Sequence, residues 1–351
     1  MDLILQMTDL KAMKATINDV AKLAGVSIKT VSRVTNNETG VRQSTKEKVQ
    51  QAIDQLKYQP NQSARSLAGT KSYVIGFVYD NPNAYYVIDM QQGILDACRA
   101  NHYELLIHPI NSKSENLLDE LVEMVKHSRM SGLLLTPPLS EMTDIIQSLE
   151  EKGIKLVRIL SGNANSKVTT PSVFVDDRSA AFQITQHLIE QGHQKIAFFG
   201  GDEEHNSSQE RRQGYIDALT QANIKIESGL MLAGRYSFES GVESCKRVMS
   251  GVSKPSAIFA CNDEIAAGAL FSARLLGLDV PKDVAIAGFE DNPFSRQTWP
   301  KLTTAAQPTQ EIASQAAELL FKNLRPSTQG DSTEQFISFQ PQLVIRESTQ
   351  S

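Results

Sequence analysis

Apolar residues near the start of the chain recur at helical spacing. Ile17, Val20, Ala21 and Ala24 fall on one face of a short helix that opens at Thr16 as N-cap, with Asp19 at the third helical position. Gly25 stops that helix. Ser27 caps a second one, whose face Ile28, Val31 and Val34 runs toward Asn36 and Asn37. Val49, Ile53 and Leu56 place an apolar stripe on a third helix that begins at Ser44 or Thr45 and ends before Tyr58-Gln-Pro60. Asn61 to Gly69 reads as one more helix, too short to be stable alone in water. Residues 1–12 show no periodicity and are expected to be a disordered arm or a misassigned upstream start.

From Ser72 onward the rhythm changes to apolar runs alternating with amphipathic stretches, the sign of parallel strands joined by crossover helices. The expected strands are Tyr73 to Tyr79, Tyr103 to His108, Gly132 to Thr136, Lys155 to Leu160, Lys195 to Phe199, Ala257 to Cys261 and Val284 to Phe289. Their near-continuous apolar character predicts burial on both faces. Part of the pattern repeats. Ile75-Gly-Phe-Val leads, 18 residues on, to Gly93 in Gln92-Gly-Ile-Leu-Asp-Ala97, and Ile196-Ala-Phe-Phe leads, also 18 residues on, to Gly214 in Gln213-Gly-Tyr-Ile-Asp-Ala218. The shared offset predicts two similar α/β lobes with a cleft between them.

A chain of 351 residues has room for such a two-lobed body plus one small unit. Hydrophobic residues make up 40% and charged residues 21%, and no run of about 18 apolar residues is available for a membrane helix. The opening Leu3-Ile4-Leu5, flanked by Asp2 and Asp9, lacks the basic start and apolar length of a signal peptide, so a cytoplasmic location is expected. Cys98, Cys245 and Cys261 are isolated and odd in number, which suits free buried thiols in a reducing compartment. The net charge of −5 hides an asymmetry: Lys14 to Lys71 holds ten Lys and Arg against four acids, a local charge of +6. That segment alone is suited to a polyanion.

The first two helices, joined by Ala24-Gly25-Val26-Ser27, make a helix-turn-helix, and the outward positions of the second are Lys29, Thr30, Ser32, Arg33 and Asn36. Such side chains suit a major groove, where Arg pairs with guanine and Lys or hydroxyl groups reach base edges or phosphates. Enzymatic signatures are missing. No Gly-x-Gly-x-x-Gly, Gly-x-x-x-x-Gly-Lys, His-Glu-x-x-His or Gly-x-Ser-x-Gly sequence occurs, the six histidines are scattered, and neither cofactor nor metal is expected. Asp176-Asp177 reads more simply as helix caps than as an acid/base pair.

Three segments carry a family resemblance. The run from Thr16-Ile-Asn-Asp-Val-Ala-Lys-Leu-Ala-Gly-Val-Ser to Thr30-Val-Ser-Arg-Val-Thr-Asn36, then Thr45-Lys-Glu-Lys-Val49 and Pro60-Asn-Gln-Ser-Ala-Arg-Ser-Leu-Ala-Gly69, closely resembles the lactose-repressor (LacI/GalR) family. The likeness continues from Tyr73-Val-Ile-Gly-Phe77 to about Phe321. It implies a small all-α helix-turn-helix headpiece and an α/β two-lobed, periplasmic-binding-protein-like (type I) sensor domain with parallel sheets. It also implies a homodimer on a pseudo-palindromic operator in double-stranded DNA. Matched by motif position, Ile28 and Lys29 would set specificity, Arg33 would add a base contact, and Thr16, Ser27, Thr30, Ser32, Asn36 and Thr45 would lie nearer phosphates. Asn61 caps the linker helix and is counted with this set; Leu67 would be a minor-groove wedge with Ala64 beside it. A wedge costs a few kcal/mol of unstacking, repaid by a bent duplex that touches more protein.

In the body, loops after strands supply candidates for a polar ligand. The resemblance assigns effector contacts to Arg211, Asn262 and Glu290, although the family more often has Asp where Glu290 stands. Many members also place an acid where this chain has Leu160, and Arg158 is the substitute candidate. Position adds Asp80, Tyr85, Tyr236, Ser207 and Asp263, with Tyr79 in reserve; core packing for Tyr85 and Tyr236, and helix capping for Asp263, are equally open.

The expected organisation is a headpiece over 13–59, a linker over 60–71 and an effector-binding and dimerisation domain over 72–351. Within the last, one lobe is drawn at about 72–171 plus 301–330 and the other at about 172–300 plus 331–351. The expected function is sequence-specific transcriptional repression under allosteric control by a small molecule, a sugar or sugar derivative, with release from DNA on effector binding favoured over corepression. No leucine heptad follows Leu324, so a dimer is expected rather than a tail-tethered tetramer. A secreted sugar receptor would have a signal peptide and no headpiece, and a nucleotide enzyme on the same sheet would carry a phosphate loop.

Overall fold

The computed structural model describes residues 15–35, 40–58, 72–81, 83–162, 169–325 and 335–350. Asn36, Asn61, Ala64, Leu67 and residues 1–12, all named above, lie outside the described residues. The chain divides into two units, Met1–Ser72 and Tyr73–Ser351.

In the first unit α1 (Ile17–Ala24), α2 (Ile28–Thr35) and α3 (Gln43–Leu56) close on Val20, Ala21, Val31, Val34, Val49 and Ala52. The Asp19 carboxylate reaches back to accept from Thr16 N at 2.8 Å and Thr16 Oγ1 at 2.7 Å, which fixes the start of α1. Gly25 takes a left-handed conformation, φ +67°, and turns the chain toward α2. Ser27 Oγ accepts from Thr30 N at 3.2 Å as the cap of α2. Two expectations need correction. Helix α3 starts at Gln43 after Arg42, ahead of Ser44 and Thr45. Ile28 is 51% exposed and does not share the inward face of Val31 and Val34, because it stands in the first turn of α2, off the core stripe.

The second unit holds two parallel sheets. The first runs β11 (Phe336–Phe339), β5 (Ser172–Val175), β4 (Lys155–Ser161), β3 (Gly132–Leu135), β1 (Val74–Tyr79), β2 (Glu104–Pro109). Period-two alternation sends Ile75, Phe77, Leu134 and Val157 to one face, under α4 (Ala84–Asn101) and α12 (Thr309–Leu324). Val78, Leu133, Leu135 and Leu156 go to the other, under α5 (Leu117–His127) and α6 (Thr143–Glu151). The second sheet runs β7 (Met231–Leu232), β6 (Ile196–Phe199), β8 (Ala257–Ala260), β9 (Ala285–Ala287). It packs with α7 (Asp177–Glu190), α8 (Asn206–Gln221), α9 (Phe238–Met249) and α10 (Asp263–Leu275) around a separate core. An antiparallel pair, β10 (Thr304–Ala306) and β12 (Gln342–Val344), extends this lobe beyond the short α11 (Pro293–Gln297).

Strands β5 and β11 pair in the first sheet, so Ser172–Val175 and Phe336–Phe339 belong to the first lobe, not to the second as drawn from the sequence. The chain passes between lobes after β5, between β10 and α12, and between β11 and β12. Burial on both faces holds for β3, β6, β8 and β9 but not for β2, an edge strand with Leu106 and Ile107 at 40% and 44% exposure. The repeated glycines have one cause. A Cβ on Gly93 of α4 would lie 2.1 Å from the Gln310 carbonyl of α12, and one on Gly214 of α8 would lie 2.2 Å from the Arg178 carbonyl of α7. Each lobe thus packs a helix pair backbone to backbone at the same point of its repeat.

Candidate functional site

On the headpiece, Thr16, Ser27, Ile28, Lys29 and Arg33 are exposed, while Thr30, Ser32 and Thr45 are half-buried. Lys29 and Arg33 are four apart on α2 and share a face, and Ile28 adds an apolar side chain at the same helix end. The Ser27 and Thr30 hydroxyls lie 2.9 Å apart, so the pair closes the cap at the helix start. The face combines positive charge, hydroxyls and one aliphatic group, which is what a groove of base edges and phosphates requires.

In the body a cleft lies between the lobes. Arg211 is at its centre, carried by α8 one helical turn after Ser207 and buried. Its Nε donates to Asp177 Oδ1 at 2.7 Å, its Nη1 donates to the Cys261 carbonyl at 2.7 Å and lies 3.7 Å from Glu290 Oε1, and its plane rests 3.8 Å from the centre of the Phe289 ring. Burial alone would lower the guanidinium pKa; the Asp177 carboxylate, with Glu290, outweighs it and holds the group charged well above its ordinary value. Burial pushes the Glu290 carboxyl up, against the pull of Arg211, Asn292 and Asn83. Glu290 has φ +101° and Asp291 φ +56°, a strained pair of non-glycine residues at the loop that presents the acid.

Asn83, the cap of α4, accepts from Tyr86 N and donates Nδ2 to Glu290 Oε2 at 2.9 Å across the cleft. Tyr236 shares hydrogen bonds with Ser207 at 3.1 Å and Ser208 at 2.9 Å, and meets the His205 ring edge to face. Burial lowers the His205 pKa. Ser161 donates to the second oxygen of Asp177, and Pro137, Ile159, Leu160 and Val175 form an apolar wall. Further polar contacts join the lobes: Lys113 Nζ to Glu204 at 2.9 Å, Asn206 Nδ2 to the Ser161 carbonyl at 3.1 Å, and Asn206 N to Glu141 Oε2 at 3.2 Å. Burial pushes the Glu141 carboxyl up to about 7, and its Oε1 is buried without a partner.

Arg211, Glu290, Tyr236 and Ser207 therefore meet in one cleft, whereas other expected residues do not line it. Asp80 is turned away to accept from Ser112 N and Oγ. Tyr85 packs edge to face on Phe294, and its neighbour Tyr86, about 100° further round the helix, faces the cleft instead. Tyr79 stacks on Phe77. Arg158 donates to the Ser140 carbonyl at 2.6 Å and so supports the turn that carries Glu141. Asp263 is no helix cap: Asn262 is, its Oδ1 accepting from Ile265 N. The Asp263 carboxylate, raised in pKa by burial, instead accepts from Thr304 Oγ1 and Asn292 N and anchors the Glu290 loop. Asn262 is fully buried outside the cleft lining, and its Nδ2 has no partner.

Asp177, His205, Ser161 and Glu141 were not anticipated, while Asn83 and Tyr86 lie in the loop and helix start that follow the first strand. A signal existed for Asp177: of two consecutive acids at a helix start only one can cap, and Asp176 does so by accepting from Ser179 N. Among the described residues no cluster of three His, Cys, Asp or Glu side chains is placed to hold a metal ion, and no helix is long and apolar enough to cross a membrane.

A helix-turn-helix headpiece on a two-lobed body with a polar cleft defines the class of ligand-responsive transcription regulators. Residues 16–61 match the lacI family of bacterial regulatory proteins, and residues 185–349 match the periplasmic binding protein-like domain. The HTH-type transcriptional repressor PurR of Haemophilus influenzae (strain PittEE) is 34% identical over 344 residues, 96% of this chain and 99% of the relative. The lac repressor dimer bound to operator and the anti-inducer ONPF is similar at a TM-score of 0.73 and 25% identity, covering 96% of this chain and 99% of that one. A complex of the transcriptional regulator CelR with cellobiose is similar at 0.71 and 27%, covering 95% and 99%. The chain belongs to the lacI family of bacterial regulatory proteins.

Proposed function

We propose that this protein is a cytoplasmic transcriptional repressor that binds a pseudo-palindromic operator as a homodimer and is controlled by a sugar or sugar derivative in the interlobe cleft. The observation that carries the reading is the Arg211 cluster: a buried guanidinium held by Asp177, Glu290 and a backbone carbonyl, at a boundary where the lobes meet through polar contacts. Buried charges need such partners, and their position at a hinged boundary lets a ligand bias closure. The likeness to regulators solved with cellobiose and with operator supports the ligand class and the DNA partner.

The headpiece residues act as expected from the family: Ile28, Lys29 and Arg33 on bases, with Thr16, Ser27, Thr30, Ser32 and Thr45 toward phosphates. In the cleft Arg211, Glu290, Tyr236 and Ser207 contact effector, joined by Asp177, Asn83 and His205. Exposed apolar side chains on both lobes, Leu106 and Ile107 at the β2 edge and Phe271, Leu275 and Leu276 on and after α10, favour dimerisation through the body. A gel-shift comparison tests the division of labour. Full-length protein should retard a palindromic operator, and a fragment starting at Ser72 should not; equal retardation by the fragment would remove the headpiece from DNA recognition.

A further inference from the structure

The cleft has a charge balance that bears on its ligand. Among the described residues lining it, Arg211 is the one cation, and it faces two carboxylates, Asp177 and Glu290. His205 adds no charge near neutrality, because burial lowers its pKa below the ordinary value. Protonation of Glu290 would bring the balance only to zero. Arg211 is moreover already engaged through Nε and Nη1, which leaves Nη2 as the nitrogen not committed to the protein.

Resting on the sensor reading above, we propose that the effector is an uncharged, hydroxyl-rich molecule, a neutral sugar rather than a sugar phosphate, uronate or other acid. The cleft offers acceptors in surplus: the carboxylates of Asp177 and Glu290, with the side-chain amides of Asn81, Asn83 and Gln307 beside them. Hydroxyl groups donate to these. A sugar phosphate or uronate brings hydroxyls too, but it adds a negative charge to a cleft whose one cation is already shared by Asp177, 2.7 Å away, and Glu290, so that charge would be buried without full compensation. Across from the acceptors stand Pro137, Ile159, Leu160 and Val175, an apolar wall suited to the C–H face of a sugar ring. The leucine at 160 works in the same sense, since it leaves that side of the cleft free of charge.

The test uses full-length protein and matched probes: glucose, galactose, ribose and cellobiose, with glucose 6-phosphate, galactose 6-phosphate, ribose 5-phosphate, glucuronate and galacturonate. Each is assayed by thermal shift, by calorimetry and for its effect on operator binding. The expected result is that a neutral compound binds and that its phosphorylated or carboxylated counterpart binds at least about thirtyfold more weakly, roughly 2 kcal/mol at tenfold per 1.4 kcal/mol. Asp177→Asn should narrow that gap about tenfold by removing one negative charge, and Glu290→Gln, an independent route should the first variant fold poorly, should act in the same direction. Tighter binding of a phosphate or uronate than of its neutral parent overturns the inference while leaving the sensor reading intact. Operator binding that ignores every compound overturns the sensor reading and the inference with it.

Discussion

The headpiece and the body place their candidate contact residues in opposite ways. The headpiece holds Lys29, Arg33 and Ile28 on the outside of a small aliphatic core, exposed to solvent that screens the charges. The body buries Arg211 and Asp177 inside, where each charge depends on the other. Removal of an exposed contact should therefore change recognition at nearly constant stability, whereas removal of a buried one should change both.

Arg211→Ala breaks this comparison most severely. It strands Asp177 and Glu290 and should cost about 3–5 kcal/mol in urea unfolding of the body. A cost near zero would mean that the cluster is solvated and not a buried charge network. The next largest effect is expected at the helix pairs: Gly93→Ala or Gly214→Ala forces a Cβ against a backbone carbonyl and should destabilise by roughly 1–3 kcal/mol, without touching operator contacts.

Exchange of Ile28 and Lys29 together probes the exposed side. Operator preference should move by about 1–3 kcal/mol for each base contact changed, while unfolding stability stays within about 0.5 kcal/mol. Uniformly weaker binding with unchanged preference would count against their role.

The smallest effect concerns Glu141, which joins the lobes through Asn206 N. Its carboxyl is raised from 4.5 to about 7 in the folded protein, so the folded state binds an additional proton between these values. The corresponding stabilisation is complete below 4.5 and is lost as pH rises through about 7. The melting temperature of the wild type should fall more than that of Glu141→Gln between about pH 6 and about pH 8. Identical profiles would show that the lobe boundary does not feel this proton.

The same contrast explains what could be read in advance. Helices α1 and α2 announce themselves because their core positions, caps and outer polar face all follow from local spacing, down to Asp19 and Gly25. Strands β1, β2, β3, β4, β6, β8 and β9 are visible as apolar runs, although the edge strand β2 is not buried on both faces as that pattern predicts. Strands β5, β7, β10, β11 and β12 are not visible, being short and, for most of them, set where the chain changes lobe. In the cleft, the family resemblance points to Arg211 and Glu290, and position along the chain adds Tyr236 and Ser207. Tyr85 was chosen where Tyr86 faces the cleft, and Arg158 where its side chain turns to Ser140, because one step of helix or strand phase decides the direction of a side chain. Asp177 and Asn83 find Arg211 and Glu290 across 34 and 207 residues of sequence, which no local pattern encodes.

The central claim is that a ligand at Arg211 controls DNA binding by the headpiece. It is tested by fluorescence anisotropy of a labelled operator titrated with full-length wild type and Arg211→Lys, with and without the neutral sugar that stabilises the wild type. Lysine keeps the charge but loses the fork that reaches Asp177 and Cys261 together. The account predicts a sugar-dependent change of at least about fivefold in wild-type operator affinity, with the variant binding operator as the wild type does and failing to respond. An equal response from both proteins would contradict it.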